Sequence, residues 1–298
     1  MEAQEQDTLN TSPVKRAPLL TWLACIACVG IFLDLLQKGN HLSWDALSKF
    51  GYLSPNDIWD GKYWGLITSV FVHTQLWHIA FNVYWLWILG GAFERNIGHT
   101  YWLLFFVMAA IVSSGIQFGI SGSTGIGLSG VGYGTFGFIW VARDRYPEFK
   151  QILTKQIVVL FTGWLILCVI ATRLHLMSVG NGAHIGGLLF GMGTAAIFSL
   201  KFKRPLVSVG IGILVVAALL PLIWCPWSAQ WVGRQGYAAH VKHDYERAIM
   251  NYKRSMELGA DPQWALSNIA EAYGDMGNNM KQKETLEQLQ KFTDKETN

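Results

Sequence analysis

The chain has 298 residues, of which 51% are hydrophobic and only 14% are charged, well below the charged fraction of about 25% in soluble domains. Its 31 glycines and 14 tryptophans are typical of packed transmembrane helices with aromatic side chains at the membrane interfaces. The net charge of +3 is too small to indicate nucleic-acid binding. Cys25-x-x-Cys28 lies in an apolar stretch without further ligands, so neither a metal site nor a disulfide framework is predicted.

Seven apolar stretches are predicted to cross the membrane as helices. The first follows a polar N-terminal tail (1–16) and is long enough to span a bilayer. A signal anchor fits it better than a cleaved signal peptide, because no small-x-small cleavage site follows. The stretches are 17–37, 76–93, 101–120, 128–142, 157–172, 183–200 and 206–224. The long segment between the first two is predicted to be a half-buried or interfacial loop.

Lysine and arginine residues predict the orientation, because they favour the inner side of a membrane. The stretches assigned to the inside hold Lys15, Arg16, Arg95, Arg143, Arg145, Lys150, Lys155, Lys201, Lys203 and Arg204. The loops assigned to the outside hold Lys38, Lys49, Lys62 and Arg173. The N-terminus is therefore predicted inside and the C-terminus outside. A bacterial cytoplasmic membrane is favoured over a eukaryotic secretory membrane, since the acidic N-terminal tail is unlike a transit peptide.

The C-terminal region, 228–298, has the composition of a soluble domain. Its small and aromatic residues recur at helical spacing around Tyr245, Tyr252 and Tyr273, with a break at Asp261-Pro262. This pattern resembles tetratricopeptide-type helical pairs, with an unrelated helical hairpin as the alternative. Only about two units fit, fewer than the three usually needed for stability. The tail is therefore expected to pack on the membrane domain or to bind a protein partner.

The fourth apolar stretch is too short to cross the whole membrane. It covers about 22 Å, against a hydrocarbon core of about 30 Å. The preceding Ser121-Gly122-Ser123-Thr124-Gly125 cannot span a bilayer and is expected to line a cavity or to lie within protein. The helix is thus expected to begin about 8 Å below the outer surface, with Ser129 in its first turn.

Four polar residues on three predicted helices fall at similar depths. Measured from the inner ends of their helices, the heights are about 20, 24, 22 and 16 Å for Ser129, His184, His78 and Asn82. Each residue alone could be a satisfied core residue. Polar groups in a membrane are costly and usually face a cavity or each other, so their common depth favours a shared site.

Glycines are predicted to bring two of these helices close together. Small residues on a helix face allow two backbones to approach. The glycines assigned to this packing are Gly127, Gly130, Gly187 and Gly191. Because the last two share one face with His184, they favour a short distance between His184 and Ser129.

These residue types permit serine protease chemistry. A serine hydroxyl becomes a useful nucleophile when an adjacent base takes its proton, so Ser129 is predicted to be the nucleophile and His184 the base. Asn82 and His78 are predicted to stabilise the oxyanion. Tyr133, one turn after Ser129, is predicted to orient the imidazole, with plain aromatic packing as its alternative.

The chain resembles the rhomboid family of intramembrane serine proteases over about residues 15–200. The matching pieces are Gly61-Lys62-Tyr63-Trp64, His73…His78-x-x-x-Asn82, Glu94-Arg95-Asn96-Ile97-Gly98, Gly127-Leu128-Ser129-Gly130 with Tyr133, and Ala183-His184-Ile185-Gly186-Gly187 with Gly191. The resemblance implies a Ser–His catalytic dyad, no metal and no cofactor. It also implies cleavage of single-pass membrane proteins, embedded in the lipid bilayer, at or near their transmembrane segments.

The resemblance further implies an all-α polytopic fold with a six-helix core. This core is assigned to 17–200, a seventh transmembrane helix to 201–227 and the soluble helical tail to 228–298. The chain departs from the family at Trp64-Gly65, where an arginine often follows the tryptophan. The absent arginine is expected to leave the first loop less rigid without removing the chemistry.

Four other functions fit the sequence less well than proteolysis by a serine. A catalytically inactive rhomboid-like chaperone or scaffold usually lacks the serine or the histidine, and both are present. A metalloprotease would have His-Glu-x-x-His, which the sequence lacks. An aspartyl protease needs two buried aspartates, whereas only Asp34 lies within a predicted span. A transporter fits the interrupted helices, but no internal repeat of the spans is visible.

Overall fold

The computed structural model of the protein describes residues 16–37, 42–199 and 204–296, and every regular element within them is a helix. The predicted N-terminal tail lies outside the described residues except for Arg16. The predicted boundary between the core and the seventh span, at residues 200 and 201, also lies outside them.

Six helices of the described residues are long and apolar enough to cross a membrane. They are α1 (Leu19–Gln37), the continuous rod Leu76–Ile97, α7 (His99–Ser121), α10 (Lys155–Arg173), α11 (Asn181–Ser199) and α12, which starts at Arg204 and continues as a 3-10 turn to Leu222. A further helix, α8 (Ser129–Ala142), is shorter and has the position of the predicted fourth stretch. The predicted all-helical membrane fold is confirmed.

The second membrane rod is longer than the sequence predicted, ending at Ile97 instead of residue 93. It consists of α5 (Leu76–Trp85), a π-helical turn and α6 (Gly91–Ile97). Glu94 is fully buried there and accepts hydrogen bonds from the backbone N–H groups of Leu20 and Thr21 at 2.9 and 2.8 Å. The carboxylate therefore caps the start of α1, where the N–H groups have no partner within the helix. An acidic residue normally marks the end of a membrane span in the sequence. Here Glu94 is buried within the helix instead.

The first loop is ordered by three short helices, α2 (Trp44–Ser48), α3 (Pro55–Trp59) and α4 (Gly65–Thr68). Ser54 and Asp57 form a reciprocal capping box at the start of α3. Hydrogen bonds from Lys62 and Ser54 lower the pKa of Asp57 below its usual value. The expectation of a half-buried loop is met at Ile58, which is completely buried.

Gly65 lies where the loop has no room for a side chain. A Cβ at this position would lie 2.8 Å from Ile58 Cδ1 and 3.0 Å from Leu53 Cδ1. Two apolar side chains thus fill the space above Gly65. This packing explains why a glycine fits at position 65, and the expectation of a less rigid loop stays a prediction.

We expect Gly65→Arg to lower the melting temperature and to leave cleavage activity no higher than in the wild type. Overpacking of a buried site typically costs about 1–3 kcal/mol. Tyr63→Arg is the matched control, because Tyr63 is 42% exposed in the same loop. Thermal unfolding in detergent should separate the two variants. A stabilised Gly65→Arg variant would contradict the packing described here.

The short helix α8 is the centre of the membrane domain. Most of its side chains are buried, including Val131, Phe136 and Ile139, which are fully enclosed. Helices α7 and α11 pack against it. A helix buried on all sides need not reach both membrane surfaces, so the end that carries Ser129 can form the floor of a cavity.

The last of the six long apolar helices, α12, packs on α7 through small residues. A Cβ on Gly115 would overlap the Ala218 carbonyl oxygen, and one on Gly119 would overlap Pro221. The indole N–H of Trp59 also donates to the Pro221 carbonyl at 3.0 Å. This helix is therefore tied both to the core and to the first loop.

The tail consists of two helical pairs. They are α13 (Ala229–Val241) with α14 (Tyr245–Glu257), and α15 (Pro262–Asp275) with α16 (Asn279–Glu296). Gly236 lies against the ring of Tyr252, which lets α13 and α14 pack closely. Arg234 pairs with Asp60 of the first loop at 2.6 Å. The tail thus contacts the membrane domain, while its tetratricopeptide character stays a prediction.

Between α8 and α10 the chain forms one more short helix, α9 (Pro147–Ile152). Glu148 in its first turn accepts two hydrogen bonds from Arg95, at 2.9 and 2.6 Å. Both donors meet the same carboxylate oxygen, and this ion pair joins the C-terminal end of α6 to the N-terminal end of α9.

Candidate active site

The structure brings the predicted polar residues to one cavity of about 1410 Å³. The cavity is lined by all five of them, namely Ser129, His184, His78, Asn82 and Tyr133. The cavity is enclosed by α5, α7, α8, α10, α11 and the segment that precedes α8.

The side chains of Ser129 and His184 are hydrogen-bonded. Ser129 Oγ and His184 Nε2 lie 2.8 Å apart. Ser129 is the first residue of α8, and His184 lies in the first turn of α11 and is 4% exposed. Because Nε2 faces the hydroxyl, the imidazole is in reach of the serine proton.

Glycines let α8 and α11 approach closely enough for this contact. A Cβ on Gly187 would overlap the carbonyl oxygen of Gly130, and one on Gly191 would overlap that of Gly134. Backbone therefore packs directly on backbone below the Ser–His pair.

Gly127 and Gly130 allow two other close contacts around Ser129. Gly127 has φ +95°, which favours glycine, and a Cβ there would lie 2.6 Å from His78 Cε1. A Cβ on Gly130 would lie 2.6 Å from the Ser113 side chain. The segment entering α8 thus runs directly beneath the His78 ring.

Tyr133 holds the imidazole from one side. Its ring lies 4.7 Å from the His184 ring, at an interplanar angle of 33°. The Tyr133 hydroxyl donates to the Phe161 carbonyl at 3.0 Å, which fixes the ring against α10. His184 Nδ1 is buried and has no hydrogen-bond partner among the described residues. No described carboxylate therefore orients the imidazole through Nδ1.

The cavity also contains hydrogen-bond donors that have no partner among the described residues. Asn82 is 6% exposed, and its Nδ2 has no partner among the described residues. The first N–H groups of α8, starting with Ser129, have no partner within the helix. These groups are free to donate to an anion formed beside the serine.

Two polar residues complete the site without having been assigned to it from sequence. The His73 ring, fully buried, contacts the Phe71 carbonyl through Nδ1 at 3.1 Å and accepts the Leu128 N–H through Nε2 at 3.3 Å. Gln117 Oε1 accepts the Ala183 N–H at 3.3 Å. Each holds the residue just before Ser129 or His184. A glutamine inside an apolar span was the available signal for Gln117.

Within the described residues, no group of three or more His, Cys, Asp or Glu side chains is arranged to hold a metal ion.

Comparison with known proteins gives two findings. A family model described as "Rhomboid domain" matches residues 60–201. The chain is 31% identical over 199 residues to the protein "Rhomboid protease GlpG" of Salmonella paratyphi A (strain ATCC 9150 / SARB42), an alignment that covers 64% of this chain and 67% of that protein. Proteins of the same name from Salmonella choleraesuis (strain SC-B67) and Salmonella typhi match with the same identity and coverage. The segment matched by the family model includes the five cavity residues named above.

Proposed function

The chain belongs to the rhomboid family and is an intramembrane serine protease, and on that premise we propose that Ser129 and His184 form its catalytic dyad. The observation that carries the proposal is the 2.8 Å distance from Ser129 Oγ to His184 Nε2. A nucleophile in hydrogen-bond contact with a base is the arrangement that covalent catalysis by serine requires.

In the proposed mechanism, Ser129 Oγ attacks the carbonyl carbon of the scissile peptide bond while His184 Nε2 takes the hydroxyl proton. The tetrahedral intermediate collapses as the C–N bond breaks, and His184 gives the proton to the leaving amine. A water molecule, deprotonated by the same imidazole, then hydrolyses the acyl-enzyme and restores Ser129. The cavity of about 1410 Å³ gives this water access to the ester.

Asn82 and His78 are proposed to stabilise the oxyanion together with the backbone N–H of Ser129. The unpartnered amide of Asn82 supports this role, because donors that already face the reacting group need no reorganisation. The contact of His78 with Gly127, two residues before the serine, supports the second assignment.

Tyr133 is proposed to orient the base. Two of its contacts support this role, the ring packed on His184 and the hydroxyl bonded to Phe161. No carboxylate of the described residues bonds to Nδ1, so such packing is what restricts rotation of the imidazole. Gly127, Gly130, Gly187 and Gly191 are proposed to act through backbone approach alone.

Rhomboid proteases act on transmembrane proteins within the bilayer, and this chain is an integral membrane protein. We infer that its substrates are single-pass proteins cleaved in or near the transmembrane segment. The starts of α8 and α11, which carry the dyad, support a scissile bond near one membrane surface.

The orientation and the domain limits are also proposals. The distribution of lysine and arginine supports an N-terminus inside and a C-terminus outside a bacterial cytoplasmic membrane. The helix bounds support three domains, namely a core over 17–200, a seventh span over 201–227 and a soluble tail over 228–298. The exposed surface of the tail is proposed to bind a protein partner.

The function is tested by reconstituting the purified protein with a panel of single-pass substrates and determining each cut position by mass spectrometry. We expect cuts in or near the transmembrane segment, formed without added metal and in the presence of EDTA. Cuts confined to distant soluble segments, or activity that requires a metal, would contradict the proposal.

We expect Asn82→Ala to lower kcat by about 10–1000-fold, the effect of losing one oxyanion donor. KM should change little, because the lost interaction forms in the transition state. Gln75→Ala is a suitable control, since Gln75 lines the same cavity outside the proposed machinery. An Asn82→Ala enzyme as active as the wild type would show that Asn82 does not stabilise the oxyanion.

A further inference from the structure

Arg173 is unusual among the described residues that line the active-site cavity, since no other lysine, arginine, aspartate or glutamate is among them. It is the last residue of α10. Its guanidinium forms no ion pair with any carboxylate of the described residues. The cavity thus has one fixed positive charge and no described acidic side chain to neutralise it.

A hydrogen bond beside Arg173 joins the end of α10 to the start of α11. The neighbouring Thr172 accepts a hydrogen bond from Asn181 Nδ2 at 2.8 Å. Asn181 is the first residue of α11, and His184 follows within the same turn, about 4.5 Å further along the axis. The end of α10 that carries the arginine is therefore held beside the end of α11 that carries the base.

The cavity is small enough for the charge to act on residues close to the scissile bond. A space of about 1410 Å³ is roughly 14 Å across if it is taken as a sphere, which about four residues of extended chain cover. Ser129 and Arg173 line the same cavity, so a peptide bound at Ser129 can extend to the end of α10 within that length. Its side chains there come into range of the guanidinium.

Physical chemistry defines the ligand that such a group selects. Arginine offers several N–H donors in a planar fork that matches a carboxylate and keeps its charge at all relevant pH values. Arg173 is exposed, so its guanidinium is accessible to a ligand, and charge-assisted hydrogen bonds of this kind are stronger than neutral ones. An ammonium group in the same place would be repelled.

We propose that Arg173 is a specificity-determining residue that binds an aspartate or glutamate of the substrate, located within about four residues of the scissile bond on its outer side. This inference rests on the proposed function, because the dyad defines where the scissile bond lies. A phosphate of an anionic lipid is the competing ligand for an arginine at the end of a membrane helix. The presence of Arg173 in the lining of the cavity favours the substrate.

The test uses one substrate whose cut position is known, with Asp, Asn or Lys placed at each of the four outer positions. We expect the wild type to cleave the best Asp substrate about tenfold faster than the Asn substrate in kcat/KM, the scale of one charge-assisted hydrogen bond. Arg173→Gln should bring the Asp and Lys rates together, and Arg173→Glu should reverse their order. Arg173→Lys, which keeps the charge, should retain part of the preference.

Lys155→Gln is the matched control, because Lys155 begins the same helix at its opposite end. It should leave the Asp-to-Lys ratio unchanged. Each variant is assayed in phosphatidylcholine vesicles with and without phosphatidylglycerol. A loss of activity in Arg173→Gln that depends on the anionic lipid and is equal for all substrates would overturn the proposal in favour of lipid binding.

An unchanged Asp-to-Lys ratio in Arg173→Gln would also overturn it. That result would leave the proposed dyad intact, because both rates are measured on cleavage that Ser129→Ala must abolish. Cleavage that persists in Ser129→Ala would instead remove the proposed function and this inference together.

Discussion

Ser129→Ala is expected to lower cleavage of a single-pass substrate by about 10⁴-fold or more, the range observed when a serine protease loses its nucleophile. The reason is that alanine leaves His184 in place but provides no atom that can form the acyl-enzyme. Product formation in reconstituted vesicles, followed over hours, measures the effect. The melting temperature should change little, because Ser129 contributes one hydrogen bond to the fold.

Ser178→Ala is the control for this experiment. Ser178 lines the same cavity and is exposed. The Ser178→Ala variant should cleave the substrate at the wild-type rate. If Ser129→Ala retained even a tenth of wild-type activity while Ser178→Ala lost it, the nucleophile would be assigned to the wrong residue.

The second large effect is expected from adding one methyl group at the interface of α8 and α11. A Cβ on Gly191 would overlap the Gly134 carbonyl oxygen, so the two helices must separate by roughly 1–2 Å in Gly191→Ala to restore an ordinary C···O distance. A displacement of about 1 Å at reacting groups can lower the rate about 100-fold. We expect Gly191→Ala to show such a loss in kcat together with a lower melting temperature.

Gly132→Ala provides a matched comparison within α8. A Cβ at Gly132 would meet no atom within 4 Å. The same glycine-to-alanine change should therefore leave activity unchanged and the helix slightly more stable. Equal effects of Gly132→Ala and Gly191→Ala would show that backbone flexibility, and not close approach, explains the glycine at position 191.

The order of the apolar helices could be predicted from the sequence, because apolar length is a local property. Six of the seven predicted stretches correspond to described helices that are long and apolar enough to cross a membrane, and the fourth corresponds to the shorter α8. The short length of α8 could also be predicted from the sequence, because the segment before Leu128 is too polar and glycine-rich to lie in lipid. The family prediction, based on motifs around Ser129 and His184, is confirmed by the domain match and by the relatives. The roles assigned to the individual site residues stay predictions.

Features that depend on contacts between distant residues could not be predicted. The second span continues past Glu94 because this carboxylate meets Thr21, 73 residues earlier in the chain. Hydropathy alone treats the same charge as the end of a span. Gly65 is a similar case, since only the fold shows that Ile58 and Leu53 occupy the space beside it.

In the tail, too, contacts between distant residues could not be predicted from the sequence. Its helical pattern was evident from Tyr245 onward, but α13, which precedes it, was not identified as a helix of its own. The packing of Gly236 on Tyr252 joins α13 to α14, and the ion pair of Arg234 with Asp60 joins it to the first loop. Neither contact leaves a periodic signal in the sequence.

The central claim is that one serine and one histidine on separate helices act as a unit, and covalent labelling measures this most directly. A fluorophosphonate should modify Ser129 in the wild type, with the labelled peptide identified by mass spectrometry. The labelling rate should fall at least about 1000-fold in His184→Ala, because the hydroxyl then has no base. It should be unchanged in His175→Asn, which alters an exposed histidine outside the cavity lining. Labelling of a different serine, or equally fast labelling of Ser129 in His184→Ala, would contradict the account.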